Sequence, residues 1–306
     1  MTTRNAISQV GILSTLLGEC PVWDTLNHRL WLMDCRAGKL MSVEPETGAI
    51  VSSFRLPAPT GSFAFNHDGQ IVVALKESIV LLDPATGTFS HLAQLPVSHP
   101  NVRLNDGTAL PDGSFIVGTM HVHREPGEAA LGGIFQLRHS GQLHKIAPAP
   151  GVTNGPNFSP FDNRFYVCDS AVRTIFSYRL EPVPAAANNA TEAPVIFQDK
   201  QIFADTSALD SAPDGCCFDS TGGLWTALVH AGAVVRFDPD GSLTHRIDLP
   251  VKHPTSLCFG GPELQDMFIT SIRDSGRLKA DGRLDGAVLK IRNSGFQGFN
   301  RPRCSF

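Results

Sequence analysis

The sequence predicts an all-β fold, a six-bladed β-propeller, on three observations. Short apolar or aromatic runs, each following a polar turn that contains Asp, Asn or Gly, recur along the whole chain. Their spacing divides the chain into six units of similar length. Almost no stretch shows the sustained 3.6-residue periodicity of a helix, which argues against folds that alternate strands with helices.

The six units appear in chain order as strand-like runs. They lie at residues 29–33, 70–74, 114–118, 164–167, 223–227 and 267–270. Each run is preceded by another short strand-like run, and most are followed by a further strand and a turn of a second type, with tips at 45–48, 84–87, 140–141 and 239–241. This repeat predicts about four strands per unit.

A local pattern, a small or polar residue before an apolar pair and a turn, aligns the starts of the units. The starts are Glu19, Ser62, Asn105, Asn154, Asp214 and Thr255. They recur every roughly 40 to 60 residues, as propeller blades of four strands do. The units fill the chain, so we expect one domain over residues 1–306. Residues 182–189, within the longest unit, are interpreted as a loop insertion between strands.

The composition restricts the class of partner. Hydrophobic residues make up 42% of the chain and charged residues 18%, as in a globular protein with a sizeable core. The 25 basic and 29 acidic residues give a net charge of -4 and form no long blocks of one sign. A nucleic-acid partner is therefore not expected.

The expected location is the cytoplasm. Residues 7–17 are interrupted by polar residues and lack the basic flank and cleavage site of a signal peptide. No apolar run approaches the ~18 residues needed to cross a bilayer, so no membrane association is expected. The seven cysteines are scattered, which fits reduced thiols better than a disulfide framework.

Three of the aligned starts carry oxygen ligands. In a propeller the innermost strands run side by side around a central channel, so equivalent starts converge at one end of it. Glu19, Asn154 and Asp214 would supply two carboxylates and an amide oxygen there, a set suited to calcium, magnesium or manganese. Because blade starts are turns, polar residues also occur at them without binding a metal, and this alternative stays open.

Several motifs in a fixed order resemble one known family. They are Gly-Glu-Cys-Pro-Val-Trp-Asp at 18–24, Arg-Leu-Asn-Asp-Gly at 103–107, Gly-Thr-Met at 118–120, Asn-Gly at 154–155, Asp-Ser at 169–170, Pro-Asp-Gly at 213–215, Gly-Leu-Trp at 223–225, Arg-Phe-Asp-Pro-Asp-Gly at 236–241, Pro-Thr-Ser at 254–256 and Phe-Gly-Gly at 259–261. This series is similar to that of the senescence marker protein, gluconolactonase and luciferin-regenerating enzyme family. The resemblance spans nearly the whole chain.

The resemblance implies a metal-dependent hydrolase that opens a sugar-acid lactone to the free acid. By resemblance, the ligands of one divalent ion are Glu19, Asn154 and Asp214, and the substrate-binding residues include Arg103 and Asn105. We expect Asp214 to act also as the general base toward the attacking water, because a carboxylate beside a cation stays ionised near neutral pH and can share its second oxygen. Calcium is the favoured ion, with manganese, iron(II), magnesium and zinc as alternatives. The small-molecule partner is then a sugar lactone, and the oligomeric state is left open.

One segment departs from the family pattern. After Gly-Thr-Met, where many relatives place acidic or amide residues, this chain has residues 121–124, His-Val-His-Arg. We hypothesise that His123 or Arg124 pairs with a carboxylate of the substrate, which would favour a uronic or aldaric acid lactone. Because residues two apart on a strand point to the same side, a second metal site at His121 and His123 is an alternative.

The remaining polar residues and tryptophans are expected to be structural. Turn caps are predicted at Asp24, Asp68, Asp112, Asp162 and Asp219. Asp106 and Asp169 are expected to hold neighbouring backbone. Packing between blades is predicted for Trp23, Trp31 and Trp225, and packing within the inner strand for Cys216 and Cys217.

Two other functions stay open on the same scaffold. One is a non-enzymatic propeller that binds a ligand or a protein and holds a purely structural metal. The other is an organophosphate hydrolase that uses the same metal on a different electrophile. The absence of a Gly-x-Ser-x-Gly motif from the sequence argues against a serine hydrolase of the nucleophile-elbow type.

Overall fold

The structure, a computed structural model, describes residues 6–96, 98–125, 127–183 and 193–306. Its strands are β1 (Ile7–Ser14), β2 (Gly18–Asp24), β3 (Arg29–Asp34), β4 (Lys39–Val43), β5 (Ile50–Arg55), β6 (Phe63–Phe65), β7 (Ile71–Ala74), β8 (Ser78–Leu82), β9 (Phe89–Gln94), β10 (Val102–Ala109), β11 (Phe115–His121), β12 (Ile134–Leu137), β13 (Leu143–Ala147), β14 (Thr153–Ser159), β15 (Arg164–Asp169), β16 (Thr174–Pro182), β17 (Val195–Asp205), β18 (Pro213–Phe218), β19 (Leu224–Leu228), β20 (Ala233–Phe237), β21 (Leu243–Asp248), β22 (Pro254–Gly260), β23 (Asp266–Ser271) and β24 (Ala287–Ile291). A short 3-10 helix covers Ser207–Leu209.

The strands form six four-stranded antiparallel sheets, which confirms the predicted class, a six-bladed β-propeller. Five sheets consist of consecutive strands. The sixth joins β22, β23 and β24 to β1, so that the first strand of the chain completes the blade built by the last three. The predicted loop insertion falls between β16 and β17, and residues 184–192 of that connection lie outside the described residues.

Contacts between Cα atoms divide the chain into two compact units. The first, Met1–Pro59 with Thr206–Asn300, holds the sheets β2–β5, β18–β21 and β22–β24 with β1. The second, Thr60–Asp205 with Arg301–Phe306, holds β6–β9, β10–β13 and β14–β17. Each unit has its own buried apolar clusters, around Trp225 in the first and around Phe115 and Phe135 in the second. The single domain over 1–306 stays a prediction.

The predicted turn caps are confirmed. In each case an Asp Oδ1 atom accepts the backbone N–H of the residue two positions later, at 3.0 to 3.2 Å. The pairs are Leu26 to Asp24, Gln70 to Asp68, Ser114 to Asp112, Arg164 to Asp162 and Thr221 to Asp219. These bonds close the turns between the first and second strands of five blades.

Asp219 also forms a buried ion pair. Its Oδ2 atom accepts hydrogen bonds from Arg236 Nε at 2.6 Å and from Trp225 Nε1 at 3.0 Å. The Asp219 side chain is 1% exposed and that of Arg236 6%. Burial alone would raise the pKa of the Asp219 carboxyl, but hydrogen bonds from Arg236, Thr221 and Gly223 lower it below its ordinary value.

The predicted packing roles of the aromatic and thiol groups are borne out in most cases. The ring of Trp23 stacks on Phe268 of a neighbouring blade in the first unit, at 5.6 Å between centroids. Trp31 instead stacks on Phe54 of its own sheet. Cys216 and Cys217 are buried, and the seven cysteines form no disulfide. Within the described ranges no helix has the length and apolar character needed to span a bilayer.

Candidate active site

The three predicted metal ligands occupy the same position of their strands. Glu19, Asn154 and Asp214 are the second residues of β2, β14 and β18. In each of these strands the antiparallel register shifts at this point, which is the signature of a β-bulge. A bulge turns the side chains beside it away from the regular pleat, and such bulges are common next to active sites.

The residues that follow two of these ligands have left-handed backbone conformations. Cys20, after Glu19, has φ 48°, and Gly155, after Asn154, has φ 51°. Positive φ in a strand is unfavourable for a residue with a Cβ atom, and such conformations cluster at functional sites, where surrounding structure enforces them. In the second unit the Gly155 N–H donates to Asp106 Oδ2 at 2.8 Å, which fixes the bulge.

The register corrects the alignment of the third blade. In four blades a described residue after the second strand donates its N–H to the carbonyl two residues before the aligned start; the pairs are Cys35 to Leu17, Ser170 to Val152, Val229 to Ala212 and Ile272 to His253. In the third blade the equivalent bond runs from Val122 to Asn101, which lies two residues before Arg103 and four before Asn105. By this bond Arg103 matches Glu19 and Asn154, whereas by the bulge, which follows Leu104, the matching residue is Leu104. Neither measure places Asn105 at the aligned position, because β10 begins at Val102 and the turn-like Asn-Asp-Gly lies in its bulge.

Asn154 is held by a hydrogen bond at each end of its amide. Its Oδ1 atom accepts from Asn105 Nδ2 at 2.7 Å, and its own Nδ2 donates to Ser170 Oγ at 2.9 Å. The side chain is buried, with 8% exposure. Because an amide oxygen has two lone pairs, Oδ1 keeps one that a cation can use.

Glu19 and Asp214 belong to the first unit. Asp214 is 7% exposed, and its Oδ1 atom is shielded from solvent, while Glu19 is half-buried. The Gly215 backbone runs close to the neighbouring β22: a Cβ atom there would lie 2.1 Å from Ser256 Oγ. A glycine after Asp214 therefore permits the close packing of β18 on β22.

The chemistry of the donor set fits a hard divalent ion. Two carboxylates and an amide oxygen match the oxygen ligands of calcium, magnesium or manganese. In the part of the chain that the structure describes, no three His, Cys, Asp or Glu side chains are grouped to hold a metal. A site here needs the amide of Asn154, and its grouping with Glu19 and Asp214 stays a prediction.

Of the two predicted substrate residues of the third blade, Asn105 lies beside Asn154. Asn105 Nδ2 donates to the Thr153 carbonyl at 2.8 Å as well as to Asn154. This amide nitrogen is therefore used within the protein, and the Asn105 oxygen is the atom left for a ligand. Arg103, half-buried at the start of β10, donates from Nη1 to the Leu104 carbonyl at 3.0 Å.

The histidine segment does not have the geometry expected of a strand. β11 ends at His121, whose side chain is buried at 4% exposure, whereas His123, beyond the end of the strand, is exposed. The premise that His121 and His123 share one side is wrong. Arg124 is exposed and lies over Gly151, where a Cβ atom would be 3.4 and 3.5 Å from its two terminal nitrogens. Among the described residues no carboxylate pairs with Arg124.

Asp106 and Asp169 have the backbone-holding roles expected of them. Asp169 accepts the N–H groups of Gly151, Val152 and Ala171 at 3.2 to 3.3 Å. Sequence reasoning missed the role of Ser170, although its motif was recognised. The available signal was a hydroxyl at a blade position that carries Cys35, Val122, Val229 or Ile272 elsewhere.

Comparisons with known proteins agree on one family. The sequence model for the SMP-30/Gluconolactonase/LRE-like region matches residues 17–273. The chain is 33% identical to 6-deoxy-6-sulfogluconolactonase of Pseudomonas putida over 293 residues, 95% of this chain and 94% of that protein. It is 29% identical to pentonolactonase XacC of Haloferax volcanii, covering 88% and 86%. The crystal structure of a calcium-binding protein, regucalcin, from Agrobacterium tumefaciens matches with a TM-score of 0.85 at 25% identity, covering 99% and 98%.

Proposed function

Because the chain belongs to the SMP-30/gluconolactonase/LRE-like family, a family of hydrolases of lactone esters, we propose that it opens a sugar-acid lactone with one divalent ion held by Glu19, Asn154 and Asp214. The observation that carries the metal-dependent form is that these three residues place two carboxylates and an amide oxygen at the second position of bulged strands, a position that Arg103 and Thr255 hold in β10 and β22. Calcium is the proposed ion, in keeping with the oxygen-only donors and with the calcium-binding relative.

The ion and Asp214 have separate roles in the proposed hydrolysis. When bound, a divalent ion polarises a carbonyl and stabilises the negative charge that develops on its oxygen. Asp214 accepts a proton from the attacking water as the new C–O bond forms. The bond between the carbonyl carbon and the ring oxygen then breaks, and the ring oxygen takes this proton, which yields the free hydroxy acid.

The third blade positions the substrate. Arg103 would hold ring or carboxyl oxygens through its guanidinium. Asn105, whose nitrogen is occupied, would accept a hydrogen bond from a sugar hydroxyl through its oxygen. Neither group transfers a proton; both orient the lactone for attack.

A substrate panel tests the reaction type. We expect turnover of aldonolactones and of uronic or aldaric acid lactones, and little or no hydrolysis of phosphotriesters. The reason is that the side chains proposed to bind the substrate, Arg103 and Asn105, form hydrogen bonds suited to sugar hydroxyls. Initial rates at matched concentrations measure this preference. Faster hydrolysis of the phosphotriester, or no hydrolysis of any lactone, would reject the proposal in favour of the organophosphate or the non-enzymatic alternative.

We further propose that Arg124 and His123 bind an anionic group at the far end of the lactone. Arg124 lies over Gly151, three residues before Asn154, which is roughly 10 Å along an extended chain. A relative whose name specifies a 6-sulfo lactone shows the kind of substrate that carries such a charge. Arg124 has no carboxylate partner among the described residues, so its guanidinium can pair with a carboxylate or sulfonate.

Arg124→Gln tests this assignment through selectivity. The ratio of kcat/KM for a lactone with a second acidic group to that for a neutral aldonolactone should fall about 10-fold or more, because a charge-assisted hydrogen bond is lost. Arg179→Gln, at an exposed arginine of β16 paired with Glu181, is the matched control and should keep the wild-type ratio. An unchanged ratio in Arg124→Gln would remove Arg124 from the substrate site.

A further inference from the structure

We propose that Asn105 and Ser170 act as a pair of positioning residues that hold the amide of Asn154 with its oxygen toward the divalent ion. This inference rests on the proposed function, since it assigns the orientation of one proposed ligand. The pair lies entirely in the second unit, on β10 and directly after β15.

The orientation starts from a backbone carbonyl. The oxygen of Thr153 can only accept, so the Asn105 group that lies 2.8 Å from it must be the NH2 donor. The same NH2 lies 2.7 Å from the Asn154 amide, and a donor must meet an acceptor there. The Asn154 atom on this side is therefore its oxygen.

Ser170 completes the assignment from the other side. With its oxygen toward Asn105, Asn154 directs its NH2 to Ser170 Oγ at 2.9 Å, where the hydroxyl oxygen accepts. The Ser170 backbone is itself fixed, because its N–H donates to the Val152 carbonyl at 3.1 Å. Asn105 thus sets the orientation of the amide, and Ser170 holds its nitrogen end in place.

The alternative orientation is unfavourable at Asn105 and at the ion, whereas the Ser170 hydroxyl, which can donate as well as accept, is compatible with both orientations. A rotation of the Asn154 amide by half a turn would set its NH2 against the NH2 of Asn105, donor against donor. It would also present NH2 hydrogens, rather than an oxygen lone pair, to a cation. Mutation of residues that orient metal ligands in this way typically weakens metal binding about 10- to 100-fold.

The position of Ser170 in the repeat supports a specific role. The blades that share its backbone hydrogen bond have Cys35, Val122, Val229 or Ile272 there, none of which offers a hydroxyl. In the described structure this hydroxyl occurs in the fourth blade, where the second residue of the inner strand is Asn154. Of the three proposed ligands, Asn154 alone has a side chain with two different ends, so it can present an oxygen to the ion in one orientation only.

Calorimetric titration of calcium and of manganese into chelated protein tests the inference without an activity assay. Ser170→Ala should weaken binding about 10-fold, whereas Ser170→Thr, which keeps the hydroxyl, should stay within about threefold of the wild type. Ser159→Ala is the control, since Ser159 lies on the same β14, is buried and touches neither Asn154 nor Asn105. At saturating metal the kcat of Ser170→Ala should return most of the way to the wild-type value.

The outcomes separate the two levels of the proposal. Wild-type affinity in Ser170→Ala, with metal bound by the wild type, overturns the positioning role and leaves the proposed function standing. Equal weakening in Ser170→Thr also overturns it, because the hydroxyl is then not the group that matters. No binding of either ion by the wild type overturns both. Thermal unfolding of the metal-free variants shows whether a loss of affinity reflects a loss of fold.

Discussion

Asp214→Asn is expected to lower kcat/KM for lactone hydrolysis by about 1000-fold while the metal-free protein keeps its unfolding midpoint. The substitution preserves the size of a buried side chain on β18 but removes both the anionic ligand and the group that accepts the proton of the attacking water. Losses of this order are typical when a general base and a metal contact disappear together. Steady-state kinetics on the best lactone of the panel, beside a thermal melt, measures the effect.

Asp240→Asn is the matched control for this variant. Asp240 lies at a turn tip of the same blade, where its carboxylate accepts hydrogen bonds from the Ser242 N–H and hydroxyl. Its activity should match that of the wild type. If Asp214→Asn kept wild-type activity, Asp214 would be neither ligand nor base. If that variant unfolded, the residue would have a structural role instead.

Arg236→Met is expected to cost about 3 to 5 kcal/mol of unfolding free energy, the largest stability effect of the set. The reason is the buried Asp219 carboxylate, which would lose its charged partner and keep only neutral donors such as Trp225 Nε1. Methionine retains the apolar stem of arginine, so the measured loss reports the missing charge more than missing packing. Urea unfolding followed by circular dichroism gives the free energy.

Arg246→Met in the same blade is the control, because its ion pair with Asp248 is exposed. It should cost about 0 to 1 kcal/mol, the range of surface pairs. A loss of less than about 1 kcal/mol in Arg236→Met as well would contradict the account of Asp219 as a group that depends on its cation.

The effect of Arg236→Met should also depend on pH. The pKa of Asp219 is lowered in the folded protein, so its stabilising contribution is complete above the unfolded value of about 4 and is lost as the pH falls through the folded value. The gap in unfolding free energy between wild type and variant should therefore shrink at acid pH. A gap of constant size from pH 7 to pH 3 would contradict this linkage.

Much of the fold could be predicted because short, local sequence patterns specify its turns and strands. Five blades repeat a turn capped by Asp and followed by a buried strand, as at Asp112 before Phe115. The alignment failed in the third blade because an Asn-Asp-Gly sequence has the composition of a turn but lies within β10 as a bulge. Composition alone does not distinguish the two.

The site was less predictable because its contacts join distant residues. The hydrogen bonds from Asn105 to Asn154 and from Asn154 to Ser170 cross from one strand to another, and no local pattern encodes them. At residues 121–123 a local pattern was applied too far. The alternation of side chains along a strand was assumed to continue past His121, where β11 ends. The family motifs identified candidate ligands, but the side chains that orient Asn154 could be identified only from the structure.

The most direct test of the central claim is the rate of lactone hydrolysis by the wild-type protein after chelation and during titration with calcium. We expect the chelated protein to be inactive and its activity to return in proportion to added ion, reaching a plateau at a single equivalent per chain. Full activity in the chelated protein would contradict a metal site at Glu19, Asn154 and Asp214.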